Sequence, residues 1–452
     1  MTWANAQFRS RPDNGIWLIE ALRLAFILSG FLVFLLPGNL LLAFNWNYLG
    51  GGAEYQKIHV ATYLLVFSFG LMLVMDARFR DAALGLCFTD PNLLAFMAAI
   101  AATALYAIGV KGVSIAPFVD TFLAALVLTV GCLCLPQKYL RLFRHLLDAY
   151  FIVSIAIVFF EYYTKSSVIF SYGLSDPGFF RSTGLFEGPL SAATLLGLYS
   201  LVVLISTPIN FTLGCLTRLM ISFASFTASF TTGSRTALAV AMVVGAGYVF
   251  VALAHQVRRG YINKAGLVYF SIALPLAGLA FTVFLSFGLL DTLLARFEYD
   301  FGSAFSREVA LNLLSNMSER DLWFGLSSGD VAGLIIWQDQ LGLIAIEISW
   351  ANFILVCGLV FTIPLFITYV LFLFRFLRTY CDWTVYVPSS YLLVVTSANN
   401  GIWAKTTILT TSLAIMISFL RTKAAAGVQR KNDRAFQRAR LFGRVDQRRI
   451  AD

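Results

Sequence analysis

Residues 349–374 read SWANFILVCGLVFTIPLFITYVLFLF and contain no charged side chain. About 20 apolar residues suffice to cross the hydrocarbon core of a bilayer as one α-helix. Backbone N–H and C=O groups find no water there, so a spanning segment of this composition has to be helical. This stretch predicts a transmembrane helix and sets the fold class of the chain.

Similar apolar stretches recur along the whole chain. The 452 residues are 59% hydrophobic and 13% charged, whereas globular proteins average about 45–50% and 25%. We predict an all-α, polytopic transmembrane helix bundle, which excludes a large soluble catalytic domain. Its twelve predicted spans lie at roughly 16–36, 58–75, 92–110, 114–135, 145–163, 189–206, 213–230, 235–254, 265–288, 349–374, 385–400 and 406–420.

Lysine and arginine are concentrated on one side of this topology. With the N-terminus inside, the inner turns and the tail hold most of them, as the positive-inside rule requires. We expect a cytoplasmic start (1–15), spans one to nine (16–288), a large periplasmic loop (289–348), spans ten to twelve (349–420) and a basic cytoplasmic tail (421–452). The tail carries most of the net charge of +9, and we interpret it as attracted to anionic lipid rather than to nucleic acid.

Few residues inside the predicted spans carry chemistry. The six cysteines fall in or beside apolar runs, except Cys381 in a short basic loop, and we interpret them as packing residues. Glu20 and Arg23 share one face of the first span and can neutralise each other, although ionisable residues at membrane depth are also functional candidates.

The large outer loop contains one helical pattern. Val309, Leu313, Leu314 and Met317 recur at helical spacing with polar residues between them. The pattern predicts an amphipathic helix on the membrane surface, with a surface helix that only packs as the alternative.

Three predicted outer segments carry arginine beside small or chain-bending residues. They are Arg181 to Pro189 (RSTGLFEGP), Thr231 to Arg235 (TTGSR), and Ser306-Arg307-Glu308 with Arg296 upstream. Ser234 can cap the helix that follows it. A single arginine at a helix end usually only extends its side chain to the lipid headgroups. Guanidinium groups, however, also pair with phosphate through two hydrogen bonds. Several on one face indicate a phosphate-bearing ligand, and outside the cytoplasm that ligand is lipid-linked.

These segments together resemble a known family. Arg181-x-x-Gly184-x-Phe186-x-x-Pro189, then Thr232-Gly-Ser234-Arg235, then a loop from near Arg307 to Phe324-Gly325 are similar to the O-antigen ligase and polysaccharide polymerase superfamily of the bacterial inner membrane. The resemblance covers roughly residues 180–375. It implies glycosyl transfer from an undecaprenyl-diphosphate-linked glycan, without metal, nucleotide or other cofactor. It also implies as partners the lipid-linked oligosaccharide, the bilayer and a chain-length regulator or flippase of the same pathway.

The chain departs from the ligase pattern at the residue that would act as the catalytic base. Ligases carry a histidine eleven residues before a glycine, and here Gly358 counts back to Glu347. Of the three histidines, His145 and His255 are predicted inside and His59 stands alone, which leaves too few ligands for zinc. We therefore expect Glu347 to take the proton from the acceptor hydroxyl, with Glu187 and Glu308 as rivals. An interfacial carboxylate paired with an arginine is the alternative for Glu347.

Other residues complete the predicted site. Asp339 is expected to bind sugar hydroxyls, with Trp337 as a stacking face, and the turn Asn399-Asn400-Gly401 either joins the site or only reverses the chain. We predict a polymerase in which Arg181, Arg235, Arg307 and Arg296 hold donor diphosphate or an anionic sugar beside Gly184 and Ser234. A ligase, a flippase or transporter, and a scaffold of an assembly complex remain as alternatives.

Overall fold

A computed structural model describes residues 14–48, 53–168, 180–207, 213–258, 282, 303–327, 329–330, 333, 348–399, 401–403 and 405–421. Within these ranges the chain forms helices joined by turns and no strand. The predicted span at 265–288 apart from residue 282, the tail beyond Arg421 and four predicted site residues lie outside them: Arg296, Trp337, Asp339 and Glu347.

Fifteen helices of the described residues position the site. They are α1 (Asn14–Leu35), α2 (Gly38–Ala43), α3 (Val60–Met75), α4 (Ala77–Thr89), α5 (Pro91–Gly109), α6 (Phe118–Cys134), α7 (Gln137–Thr164), α8 (Pro189–Ser206), α9 (Leu213–Thr231), α10 (Arg235–Arg258), α11 (Ser303–Ser315), α12 (Glu319–Phe324), α13 (Ser349–Leu371), α14 (Tyr386–Ala398) and α15 (Ile408–Arg421).

Every predicted span that falls on described residues contains one of these helices. Six of them, α1, α5, α7, α8, α10 and α13, are long and apolar enough to cross a membrane. The pair α3 and α4, bent by 112°, makes a seventh if it counts as one span. α6 and α15 are apolar but shorter. The protein is therefore a membrane-embedded helical protein, and the twelve-span count stays a prediction.

Hydrogen bonds between polar side chains lie at both the predicted outer end and the predicted inner end. On one end, Ser114 Oγ donates to Glu54 Oε2 at 2.6 Å. On the other, Arg23 Nε donates to Asp76 Oδ2 at 3.1 Å, and Glu20 also pairs with Arg23 at 3.5 Å. The bundle thus has two distinct polar ends, and we call the end with Glu54 the outer end, after the predicted topology.

Small polar side chains bring α8 and α9 together. The hydroxyls of Ser200 and Ser222 each donate to the other residue's carbonyl at 2.8 Å, and Ser225 Oγ donates to Leu196 O at 2.8 Å. Small residues with such interhelical bonds let membrane helices pack closely. This contact fixes the relative position of the two helices whose outer ends carry arginine motifs.

The start of the large loop is held against α13. Ala310 of α11 packs with Ala351 and Leu355, so the predicted amphipathic helix exists and its apolar side covers another helix. Further along, Leu326 N donates to Leu355 O at 2.8 Å, at a kink where Gly358 has φ 72°. The loop segment is therefore docked on a break in α13.

Candidate functional site

Two of the three arginine motifs contact each other at the outer end. Arg181 Nε donates to Thr232 O at 2.8 Å, and Ser182 N donates to Thr231 O at 3.3 Å. We call residues 181–187 together with residues 231–235 the arginine strap. Its two parts are about fifty residues apart in the chain, and the packing of α8 on α9 brings them together.

Glu161, in the last turn of α7, fixes the shape of the strap. Its side chain is fully buried, and Oε2 accepts from Thr183 N at 2.7 Å and from Gly184 N at 2.8 Å. Oε1 accepts from Val168 N at 2.9 Å. A buried carboxylate needs such donors, and here they belong to the backbone beside Arg181. Glu161 therefore positions the motif.

Gly184 is required by both its conformation and its surroundings. Its φ is 59°, and a Cβ added there would lie 2.7 Å from Val158 Cγ2. Residues that carry a Cβ rarely adopt this left-handed backbone conformation. Two residues later, the ring of Phe186 packs on Tyr150 at 5.7 Å and Phe151 at 5.8 Å. Gly184 therefore lets the backbone of the strap lie against α7, and an approach of this backbone to a ligand stays a prediction.

The second half of the strap opens helix α10. Leu238 N donates to Ser234 O at 3.3 Å, which places Ser234 at the N-cap position, and Arg235 is the first helical residue. The first N–H groups of a helix favour an anion. The strap also buries five small hydroxyl side chains, those of Ser182, Thr183, Thr231, Thr232 and Ser234.

A group of buried and partly buried ionisable side chains lies at the end of the strap that contains Glu187. It consists of Tyr48, Asp120, Glu187 and Lys405, and we call it the acid–lysine cluster. The Lys405 ammonium donates to Tyr48 O and lies 4.0 Å from the centroid of the Tyr48 ring. Asp120 is 1% exposed, and its carboxylate accepts from His59 N at 3.0 Å. The positive charge of Lys405 acts on the carboxylates of Asp120 and Glu187. The cluster therefore contains one cation for two acids.

Glu187 is one of the two acids that face this single cation, and its pKa is raised. Burial, and then the nearby Asp120 carboxylate, raise the pKa of Glu187 to about 7. Its Oε1 atom is buried without a hydrogen-bond partner among the described residues. The residue lines a cavity of about 10 Å³ between Pro37, Tyr150 and Thr407, which is room for about one water molecule. A whole sugar ring does not fit in this space.

His59 is engaged at both ring nitrogens. Nε2 lies 2.6 Å from Leu36 O, and Nδ1 accepts from Ala61 N at 3.2 Å, where it caps α3. The carbonyl requires the Nε2–H tautomer, and the cap uses the remaining lone pair. His59 therefore has a structural role and is not a base, as the sequence pattern also indicates.

The third motif lies on α11. Arg307 is partly buried and Glu308 is exposed, and their helix packs against α13. At the start of α13, Ser349 Oγ donates to Asn399 O at 2.7 Å and accepts from Ile402 N at 3.2 Å. The turn at residues 399–402 is thus attached to the segment that follows Glu347. A meeting of Arg307 with the strap stays a prediction.

Sequence reasoning missed Glu161 and Asp120 as parts of this region, and it noted Lys405 only as the residue that follows the turn at Asn399-Asn400-Gly401. Glu161 and Asp120 both fall inside predicted spans, where an ionisable side chain is itself a signal. Their partners could not be read from spacing, because Asp120 and Lys405 are far apart in the chain and meet only in the folded bundle.

No known protein family matches this chain, and no curated protein matches it either. The functional assignment therefore rests on the site and on the resemblance of its motifs.

Proposed function

We propose that this protein is an inner-membrane polysaccharide polymerase. It transfers an undecaprenyl-diphosphate-linked glycan onto a lipid-linked repeat unit on the periplasmic face. The contact of Arg181 and Ser182 with the turn before Arg235 carries this proposal, because two motifs of a phosphate-binding pattern form one unit at one end of a membrane-embedded bundle.

The strap suits a diphosphate leaving group. A diphosphate needs little protonation but strong neutralisation, and fixed guanidinium groups supply it without reorganisation. Arg181 is oriented by its bond to Thr232 O, and Arg235 stands at a helix N-terminus, where N–H donors add to its charge. In this proposal Arg307 and Arg296 approach the same diphosphate from the large loop.

The acceptor hydroxyl needs a base that a sugar can reach. Glu187 faces a cavity with room for about one water, so we assign it to holding the loop. Glu308 is exposed on α11 and offers no enclosed site. We therefore keep Glu347 as the proposed base, with Asp339 on the sugar.

A reconstituted assay tests the proposal. Purified protein in vesicles receives lipid-linked repeat units, with no ion gradient and no nucleotide, and new glycosidic bonds are measured. We expect longer glycans from the wild type. Losing one donor to the developing charge costs about 10²-fold in rate, which we expect for Arg235→Gln and Arg307→Gln. Arg80→Gln is the matched control, since Arg80 is exposed at the inner end.

Other outcomes assign the protein differently. Lipid-linked units that change leaflet without new bonds would indicate a flippase or transporter. Transfer to a different acceptor would indicate a ligase, which the engaged ring of His59 disfavours. No turnover, together with loss of polymer in a deletion strain, would indicate a scaffold.

A further inference from the structure

A second group of charged side chains lies at the inner end, away from the strap. Arg144 of α7 stacks on Phe419 of α15, with its guanidinium carbon 4.5 Å from the ring centroid. Arg144 Nε is 4.0 Å from Asp148 Oδ2, and Asp148 Oδ1 accepts from Tyr199 Oη at 2.6 Å. Arg218 lies on α9 one turn before Ser222, whose hydroxyl donates at 2.8 Å to Ser200 O beside Tyr199, and the Arg218 charge acts on both Arg144 and Tyr199. Four helices thus converge on two guanidinium groups.

These residues occupy one depth in the bundle. Arg144, Tyr199 and Arg218 each lie about 8–10 Å from the inner end of their own helix, at 1.5 Å per residue. Phe419 stands just before the inner end of α15. In the predicted topology the inner end of the bundle meets the headgroups of the adjacent leaflet, so we expect this layer near the boundary between headgroups and acyl chains.

The group has an excess of positive charge. The group contains two arginines and one carboxylate, and that carboxylate is 4.0 Å from Arg144 and already accepts a hydrogen bond from Tyr199. The side chain of Arg144 is 15% exposed, so water solvates its positive charge poorly. Two partly desolvated guanidinium groups repel each other, and an anion between them would remove that cost.

We propose that Arg144 and Arg218 form a binding site for a phosphate group, filled by the headgroup of an anionic phospholipid of the adjacent leaflet. Guanidinium groups bind phosphate oxygens through two hydrogen bonds. The same helical turns expose the apolar side chains of Leu142, Leu216 and Met220, which favours a phosphate attached to acyl chains over a free ion. This inference does not depend on the polymerase proposal.

Thermal unfolding of the purified protein in detergent tests the site. Phosphatidylglycerol, phosphatidylcholine and inorganic phosphate are added separately, and native mass spectrometry counts retained lipid. We expect phosphatidylglycerol to raise the Tm of the wild type and of Arg141→Gln. Arg141 is the matched control, because it is exposed one turn earlier on α7. We expect about tenfold weaker phosphatidylglycerol binding in Arg144→Gln and in Arg218→Gln.

The other outcomes contradict all or part of the proposal. An equal response of the wild type and both variants, or an equal response to phosphatidylcholine, overturns the site. A response to inorganic phosphate alone supports the anion site and overturns the lipid as its occupant. If the glutamine variants do not fold, Arg144→Lys keeps the charge, and a wild type that retains no anionic phospholipid still overturns the proposal.

Discussion

Glu161 shows how one side chain determines the geometry of a motif that lies elsewhere in the chain. Both of its oxygens accept backbone N–H groups, two of them from Thr183 and Gly184. The carboxylate is 0% exposed, so its bonds are made in a medium where unpaired donors are costly. The orientation of Arg181 follows from this contact.

Glu161→Gln is expected to lower stability by about 1–3 kcal/mol. An amide has only one acceptor oxygen, so its NH₂ group would face either Val168 N or the pair at Thr183 and Gly184 as donor against donor. Thermal unfolding in detergent measures the loss. Glu54→Gln is the control at the same end, with a side chain 52% exposed. Equal Tm values for both variants would contradict the assigned role.

The raised pKa of Glu187 predicts a dependence of stability on pH. Its usual value of 4.5 rises to about 7 in the folded chain, so the folded state holds a proton that the unfolded state releases at lower pH. The resulting stabilisation is complete below about pH 4.5 and is lost as the pH rises through about 7.

We therefore expect the Tm of the wild type to fall relative to that of Glu187→Gln between pH 5 and pH 8. The variant carries no titrating group at this position. The difference in stability changes on the order of 1 kcal/mol per pH unit. Parallel Tm curves for the two proteins would show that Glu187 titrates normally.

At the scale of elements, the break in α13 matters most. Gly358 and Gly325 have φ values of 72° and 76° and face each other's neighbours. Tyr106 Oη donates to Phe324 O at 2.6 Å, and Lys111 Nζ donates to Leu326 O at 2.7 Å. The kink, α5 and α12 therefore form one joint that docks the large loop.

Gly358→Ala is expected to open this joint. The added Cβ would lie 2.2 Å from Trp323 O, and the positive φ costs roughly 1–2 kcal/mol more for alanine. Trypsin cleavage at the exposed Arg320 of α12 should then be faster than in the wild type. Gly70→Ala is the control, because nothing lies within 4 Å of a Cβ there. Unchanged protection of Arg320 would show that the contact does not hold the loop.

At the scale of the whole molecule, the two polar ends define its sidedness. The Ser114–Glu54 bond lies at the predicted outer end, and the Arg23–Asp76 bond joins the first predicted span to a predicted inner turn. These two contacts fit the predicted placement of the turns that they involve, and the full alternation of turns stays a prediction. The assignment of one end to the cytoplasm rests on the distribution of arginine and lysine.

Cysteine labelling tests that assignment. Tyr55 is 59% exposed at the outer end, and the Arg80 side chain is 46% exposed at the inner end. We expect a membrane-impermeant maleimide to label Tyr55→Cys in spheroplasts, and Arg80→Cys only after the membrane is opened. The wild type is the blank, since its six cysteines are buried or partly buried. The reverse pattern would invert the topology and place the strap in the cytoplasm.

The helices could be predicted because their signals are local. Residues 349–374 predict a span, and α13 confirms it. Short polar turns, such as the one before Arg235, mark where helices end. Cysteines were interpreted as packing residues, and all six are free. Length alone does not make α6, α14 and α15 membrane spans, because each is shorter than about 20 residues.

Sequence alone determined the membrane class, most helix positions and the arginine and glycine residues of the strap, since apolar runs and charge asymmetry act over a few neighbouring residues. Only the tertiary structure decided that Arg181 binds the turn before Arg235, that Glu161 shapes the strap, and that Asp120 and Glu187 share Lys405. These pairings depend on which helix faces pack together. In a membrane nearly every face is apolar, so buried hydrogen bonds and close contacts of small residues select the arrangement.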